Sequence, residues 1–272
     1  MDIKSRLLKE FIKEITYNNR NPRNLRALEL LDDKPTNPHI IINTNDSLYR
    51  ARIITNSSEI GKEPGFYGYN ADKSGVPTAE HTRDGRANYR YIPYLYCANN
   101  PYIAISEVRP RLGANVSVAT ITANEPLTLL DFTIQHKPSK MSEAKKNLFA
   151  DLSSLFSLPV TNNEDIVEYI PTQFIAEYAK QMGYDGIAFS SSITPEFYLY
   201  DPNRYNVVVF NYNKCKAIKS NVVMVTRAYL ECSQTDDDTE ALNINNFIED
   251  QLDEIIKTQE ALINGDKALV NV

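Results

Sequence analysis

Between Gly85 and Pro110 the chain interleaves arginines, tyrosines and one glutamate with apolar residues that would hold them rigid. Gly85-Arg86-Ala87-Asn88 opens the stretch and a short apolar run ends in Tyr96. Asn99-Asn100-Pro101 follows, and Glu107-Val108-Arg109-Pro110 closes it, with Tyr49-Arg50 lying upstream. These residue types suit a site that grips an anionic, aromatic, nucleotide-like ligand and stabilises a developing positive charge. The planar fork of arginine can give two parallel hydrogen bonds to phosphate oxygens. Tyrosine rings offer a face to a cationic heterocycle. Seven of the thirteen arginines fall between Arg50 and Arg111. On a chain of net charge -6, that clustering fits a small anionic ligand better than a nucleic acid or an acidic membrane.

The elements around these residues must place them. Ile92 to Ala98 reads as a buried strand ending just beyond Tyr96. Asn100 and Pro101 make an N-cap and first helical residue, and Pro110 stops that helix because its ring cannot continue the ladder. Glu107 therefore sits near the end of a short helix, one turn after Ile103 and Ala104 on the same face. A carboxylate there is partly desolvated, as a working glutamate would be.

Upstream, Ile3 to Ile15 carries apolar residues at helical spacing, Asn18 to Pro22 ends that helix, and Leu25 to Leu31 forms a second one. His39 to Asn43 and Leu48 to Ile54 read as strands, and 56–90 as a long loop. Downstream, Val116 to Ala123 and Leu127 to Phe132 are strands, and Ser142 to Phe156 is helical. Pro171 to Met182 is a helix with Gly183 at its C-cap. Ile187 to Phe189 and Asn206 to Phe210 are strands around a polar loop, and Val222 to Val225 is a last short strand. An acidic linker from Cys232 to Glu240 precedes an amphipathic helix, Ala241 to Leu262. The division expected is a helical appendage at 1–40, a catalytic domain at 41–232, and the linker with its helix at 233–272.

At 272 residues, with 42% hydrophobic and 24% charged residues, the chain reads as soluble and globular. Cys97, Cys215 and Cys232 form no CxxC pair and read as free thiols of a reducing cytosol. The N-terminus lacks the apolar core of a signal peptide, and no apolar run reaches the length of a membrane span. His39, His81 and His136 are isolated, so no metal site is expected. Neither GxGxxG nor GxxxxGK[ST] occurs, which disfavours dehydrogenases and P-loop NTPases.

These residues together resemble the RES domain family. Its pattern is an Arg after a hydrophobic strand, then Gly-Arg-x-Asn, a strand ending in Tyr, a helix bearing Glu, and later a Ser in a strand-loop. Leu48-Tyr49-Arg50, Gly85-Arg86-Ala87-Asn88, Tyr94-Leu95-Tyr96 with Glu107-Val108-Arg109, and Asp185-Gly186-Ile187-Ala188-Phe189-Ser190-Ser191 follow that order. The similarity runs from about residue 46 to residue 226. After Gly-Arg-x-Asn the family often has Pro-Pro-Gly, where this chain has Tyr89-Arg90-Tyr91.

The resemblance implies an α+β, ADP-ribosyltransferase-like RES domain, here with helical N- and C-terminal extensions. It implies a cytoplasmic toxin of a toxin–antitoxin pair that cleaves NAD at the nicotinamide–ribose bond and passes ADP-ribose to water or phosphate. NAD is then a substrate, with no prosthetic group. An antitoxin protein is the implied partner, and the terminal helices offer a surface for homo-oligomers. A mono-ADP-ribosyltransferase acting on a protein, and a non-enzymatic binding module on the same fold, are the alternative readings.

Residue by residue, the resemblance assigns Glu107 to the oxocarbenium-like charge. Arg50 takes the pyrophosphate and Arg86 is a second candidate for it, against a loop-fixing role. Tyr96 stacks on nicotinamide, or else is a core tyrosine. Tyr49 carries the same pair of readings. Ser191 binds the ligand or orients Glu107, with Ser190 and Ser192 as alternative equivalents. Asn88 is an NAD contact or a loop brace.

Overall fold

A π-helical turn, Glu14–Asn18, extends the first helix, α1 (Arg6–Lys13), and α2 (Arg26–Asp32) follows. Ser5 caps α1 by accepting from the Leu8 N–H, while the Ser5 N–H donates to Asp151 Oδ2 at 2.7 Å. The computed structural model describes residues 5–22, 25–55, 68–133, 140–158, 166–191 and 204–227. The expected linker and helix beyond residue 232, and most of the polar loop after Ser191, lie outside the described residues. The chain divides into two compact units, Met1–Val225 and Thr226–Val272, and the sheet with its packed helices belongs to the first.

Among the described residues, eight strands form one sheet: β1 (His39–Ile42), β2 (Leu48–Ile53), β3 (Leu95–Ala98), β4 (Asn115–Ala123), β5 (Leu127–Asp131), β6 (Gly186–Ser190), β7 (Tyr205–Val209) and β8 (Cys215–Met224). Their order across the sheet is β1-β5-β6-β7-β3-β2-β4-β8. Only β5 and β6 run parallel; the other neighbours are antiparallel. Three further α-helices follow among the described residues: α3 (Pro101–Glu107), α4 (Glu143–Ser157) and α5 (Ile170–Gln181). The expected α+β class is what forms.

Alternation along the strands divides the core. Tyr96, Ile187, Phe189 and Val208 project toward the helices and join Leu8, Phe11, Ile15, Leu28 and Leu31 with the apolar faces of α4 and α5. Leu95, Cys97, Ala188, Val207 and Val209 point the other way, into a second cluster with Ile121 and Leu129. The N-terminal helices thus share the main core. Buried Lys145 holds them there, donating to the Asp33 carbonyl at 2.7 Å and Thr36 Oγ1 at 2.6 Å. Such bonds are what permit a lysine to be buried.

Two strand expectations need correction. The strand predicted from Ile92 begins at Leu95. Tyr91 takes a positive φ of 70°, Pro93 lacks the N–H a ladder needs, and Ile92 is partly exposed. The short strand predicted at Val222 is the end of the ten-residue edge strand β8, whose lysines and serine hide its periodicity.

Gly186 lies where β5, β6 and β7 meet. A Cβ there would stand 2.2 Å from the Val208 carbonyl oxygen and 2.9 Å from Leu129 Cδ2. Gly186→Ala must spread the sheet and is expected to cost about 3 kcal/mol, a fall of about 6–12 °C in Tm by calorimetry. A Tm unchanged from that of the parent would contradict this packing.

Candidate active site

Glu107 is the last residue of α3. The helix starts where predicted: Asn100 Oδ1 accepts from the Tyr102 N–H at 2.9 Å, and Pro101 occupies the first turn. Ile103 and Ala104 are buried against Ala51 of β2 and Val116 and Val118 of β4. Arg109 turns the chain out with φ 47°, its N–H returning to the Ser106 carbonyl at 2.9 Å, and Pro110 follows. The helix therefore ends with its glutamate over the sheet.

There the carboxylate meets two donors from neighbouring strands. Ser191 Oγ donates to Glu107 Oε1 at 2.8 Å and Asn206 Nδ2 donates to the same oxygen at 2.6 Å. Phe189 pairs with Asn206 across β6 and β7, and strand alternation carries Ser191 to the same face. Ser190 points to the opposite face by that alternation, and its carbonyl accepts from Ser157 Oγ at 3.0 Å. Ser192 lies outside the described residues. Glu107 Oε2 accepts no hydrogen bond among the described residues.

A cavity of about 220 Å³ opens beside this carboxylate. Tyr49, Arg50, Arg86, Tyr96, Glu107 and Asn206 are among the residues lining it. The cavity touches both β2 and β3, which share one register pair, Tyr49 opposite Ala98. Beyond that pair the Tyr96 carbonyl accepts from Arg50 Nη1 at 3.4 Å, and the strands part. Arg50 Nε is buried and makes no hydrogen bond among the described residues. Burial lowers the pKa of this guanidinium, the effect expected of a buried cation. Cys97 also lines the cavity; burial pushes its thiol up to about 12, so it is no thiolate nucleophile at neutral pH.

Arg86 reaches the cavity wall while its two terminal nitrogens donate to the carbonyls of Phe156 and Leu158. It thus closes the C-terminus of α4, where a cation suits the helix dipole. Burial again lowers its pKa, opposed by the nearby Glu107 carboxylate. Its firm bonds are to backbone, the loop-fixing arrangement, made with carbonyls and not a carboxylate.

Tyr96 presents its ring to the cavity and anchors its hydroxyl behind it. The hydroxyl donates to Asn88 Oδ1 at 2.7 Å and accepts from the Ala87 N–H at 3.0 Å. Burial pushes this phenol well above its ordinary range, so it stays neutral. Asn88 does not line the cavity. It is buried, and its amide donates to the carbonyls of Arg83 and Tyr89, each at 3.0 Å. Gln173 of α5 fastens the same loop, donating to the Gly85 and Asn88 carbonyls at 3.0 Å and 2.9 Å. Tyr96→Phe would orphan Asn88 Oδ1 and the Ala87 N–H. The expected loss is about 1–3 kcal/mol of stability, read from denaturant midpoints. A variant as stable as the parent would show that the hydroxyl does not hold this loop.

The structure thus brings Tyr49, Arg50, Arg86, Tyr96 and Glu107 to one cavity, with Ser191 against Glu107 and Asn88 behind Tyr96. Asn206 was missed by the sequence reading. Its signal is a single amide heading a run of valines, Val207 to Val209, in a buried strand, where an asparagine needs a bonding reason. Among the described residues, no cluster of three or more His, Cys, Asp or Glu could hold a metal ion, and no helix is long and apolar enough to cross a membrane.

A search of curated proteins finds no match to this chain. Among solved structures, the chain is similar to one chain of the M. tuberculosis MbcT–MbcA toxin–antitoxin complex, at 13% identity and a TM-score of 0.44. That match covers 73% of this chain and 93% of the other. The RES domain profile matches residues 49–232, well over half of the sequence, and the chain belongs to the RES domain family.

Proposed function

We propose that this protein cleaves NAD at the nicotinamide–ribose bond and passes ADP-ribose to water or phosphate. The observation that carries the reading is the Glu107 carboxylate, held through one oxygen and bordering a cavity that Arg50, Tyr49 and Tyr96 also line. The half-buried guanidinium of Arg50 takes the pyrophosphate, where a planar fork gives paired charge-assisted bonds. Tyr96, fixed from behind, stacks on the nicotinamide ring, which is cationic before cleavage and neutral after it.

As the C–N bond breaks, its electron pair leaves with nicotinamide and positive charge spreads over the ribose C1′ and ring oxygen. Glu107 Oε2 stabilises that charge, and because two bonds already fix the carboxylate, little reorganisation is needed. Water or phosphate then attacks C1′, and the proton of an attacking water is released. Membership of the RES family supports a cellular role as an NAD-depleting toxin restrained by an antitoxin protein.

The test is product identification. The purified chain, incubated with NAD, is expected to release nicotinamide in step with NAD loss, and mass spectrometry should find ADP-ribose, or its phosphate ester when phosphate is supplied. Intact NAD after prolonged incubation would contradict the reading. ADP-ribose found only on a lysate protein would point instead to a protein-modifying transferase.

A further inference from the structure

Asn206 carries more than one bond's worth of information. It is only 6% exposed, yet it belongs to the cavity lining. Its amide orientation is fixed chemically, since the group facing Glu107 Oε1 at 2.6 Å must be the NH₂. The carbonyl Oδ1 therefore points away from the carboxylate. That oxygen accepts no hydrogen bond among the described residues, and it is not sealed off as a buried orphan. A buried strand thus places an amide on a wall where valine would fit the local pattern, with the donor half engaged and the acceptor half free.

The groups around it are few. Glu107 comes from α3, Ser191 from the end of β6, Phe189 from β6 itself, and Tyr96 and Ala98 from β3, Ala98 lying opposite Asn206 in the register. On the proposed reading, the Asn206 acceptor lines the same cavity as Glu107 and is available to the sugar hydroxyl next to C1′. Accepting from such a hydroxyl raises electron density at the neighbouring cationic centre, and hydrogen bonds to the 2-hydroxyl strengthen in oxocarbenium-like transition states.

Resting on the NAD-cleavage reading, we infer that Asn206 has a double role. Through its NH₂ it positions Glu107, and through Oδ1 it accepts the 2′-hydroxyl of the ribose whose bond is broken. The residue is then a specificity determinant, selecting substrates that carry that hydroxyl. Ser191, bonded to the same carboxylate oxygen, shares the positioning role.

The experiment is a cycle of two enzymes and two substrates. Parent and Asn206→Ala are assayed on NAD and on its analogue lacking the 2′-hydroxyl of the nicotinamide ribose. Lost positioning lowers kcat on both substrates, by about 100-fold. The lost hydroxyl contact falls on NAD alone, so the preference for NAD over the analogue should shrink a further tenfold or so in the variant. The unfolding midpoint should stay near that of the parent. Asn206→Val, which fits the apolar pattern of the strand and has no acceptor, serves if alanine does not fold, with the same loss of preference expected. An undiminished preference would overturn the hydroxyl contact, and an unchanged kcat would overturn the positioning role. Absence of nicotinamide release from the parent would instead remove the reading on which both rest.

Discussion

Glu107→Gln is expected to lower nicotinamide release from NAD by about 1,000-fold, or about 4 kcal/mol of transition-state stabilisation. The substitution keeps shape and volume and removes the charge. Because Oε1 accepts from Ser191 and Asn206, the amide oxygen of glutamine can take both bonds. Its NH₂ then replaces Oε2 and presents a donor to a centre that needs an anion. Ground-state binding of NAD does not depend on that charge to the same degree, so the loss should fall on kcat while KM changes little. Thermal unfolding should move by no more than a degree or two, which separates a chemical loss from a folding one. Turnover within tenfold of the parent would mean that another group stabilises the ribosyl cation.

Arg50→Met is expected to behave in the opposite way, losing affinity and keeping or gaining stability. Arg50 Nε is buried without a hydrogen bond among the described residues, and its guanidinium donates to one carbonyl, that of Tyr96. No carboxylate is within salt-bridge distance of Arg50 among the described residues, so folding must desolvate this cation with little local compensation. Replacing it with an apolar chain of similar length should be neutral or stabilising by about 1 kcal/mol. If Arg50 holds the diphosphate as proposed, the same change removes those paired bonds, so kcat/KM should fall about 100-fold, mainly through KM. Arg50→Lys keeps charge without the fork and should recover only part of that loss. A variant that is less stable by several kcal/mol, with KM unchanged, would make Arg50 a structural residue.

These two residues illustrate what the sequence makes legible. Glu107 could be placed because local rules fix it: an N-cap asparagine, a proline at the first turn, two apolar residues one turn earlier, and Pro110 as the stop. Each acts over a few residues, so each can be read from spacing. Arg50 was legible through the resemblance, as the arginine of Leu48-Tyr49-Arg50; Arg52 in the same strand shows that spacing alone would not single it out. The Ser190-Ser191 ambiguity needed the strand's alternation, which the register with β7 supplies.

What could not be read depends on contacts distant in sequence. Arg86 meets the end of α4, seventy positions on, and spacing says nothing of that bond. Asn206 meets Glu107 across 99 positions, through two strands and a helix that come together only in the fold. Sequence shows only the apolar end of the edge strand β8, because an edge tolerates lysine and serine that an interior strand would reject. Composition alone extends β3 back to Ile92, while Pro93 and the left-handed Tyr91 forbid the ladder there.

The central claim is that Glu107 faces the ribose C1′ of NAD while Arg50 holds its diphosphate. A crystal structure of the Glu107→Gln variant soaked with NAD tests it most directly. C1′ is expected at roughly 3–3.5 Å from the side chain at 107, with the pyrophosphate on Arg50 and nicotinamide against Tyr96. NAD bound elsewhere, or bound in this cavity with its diphosphate away from Arg50 and its C1′ remote from residue 107, would contradict it.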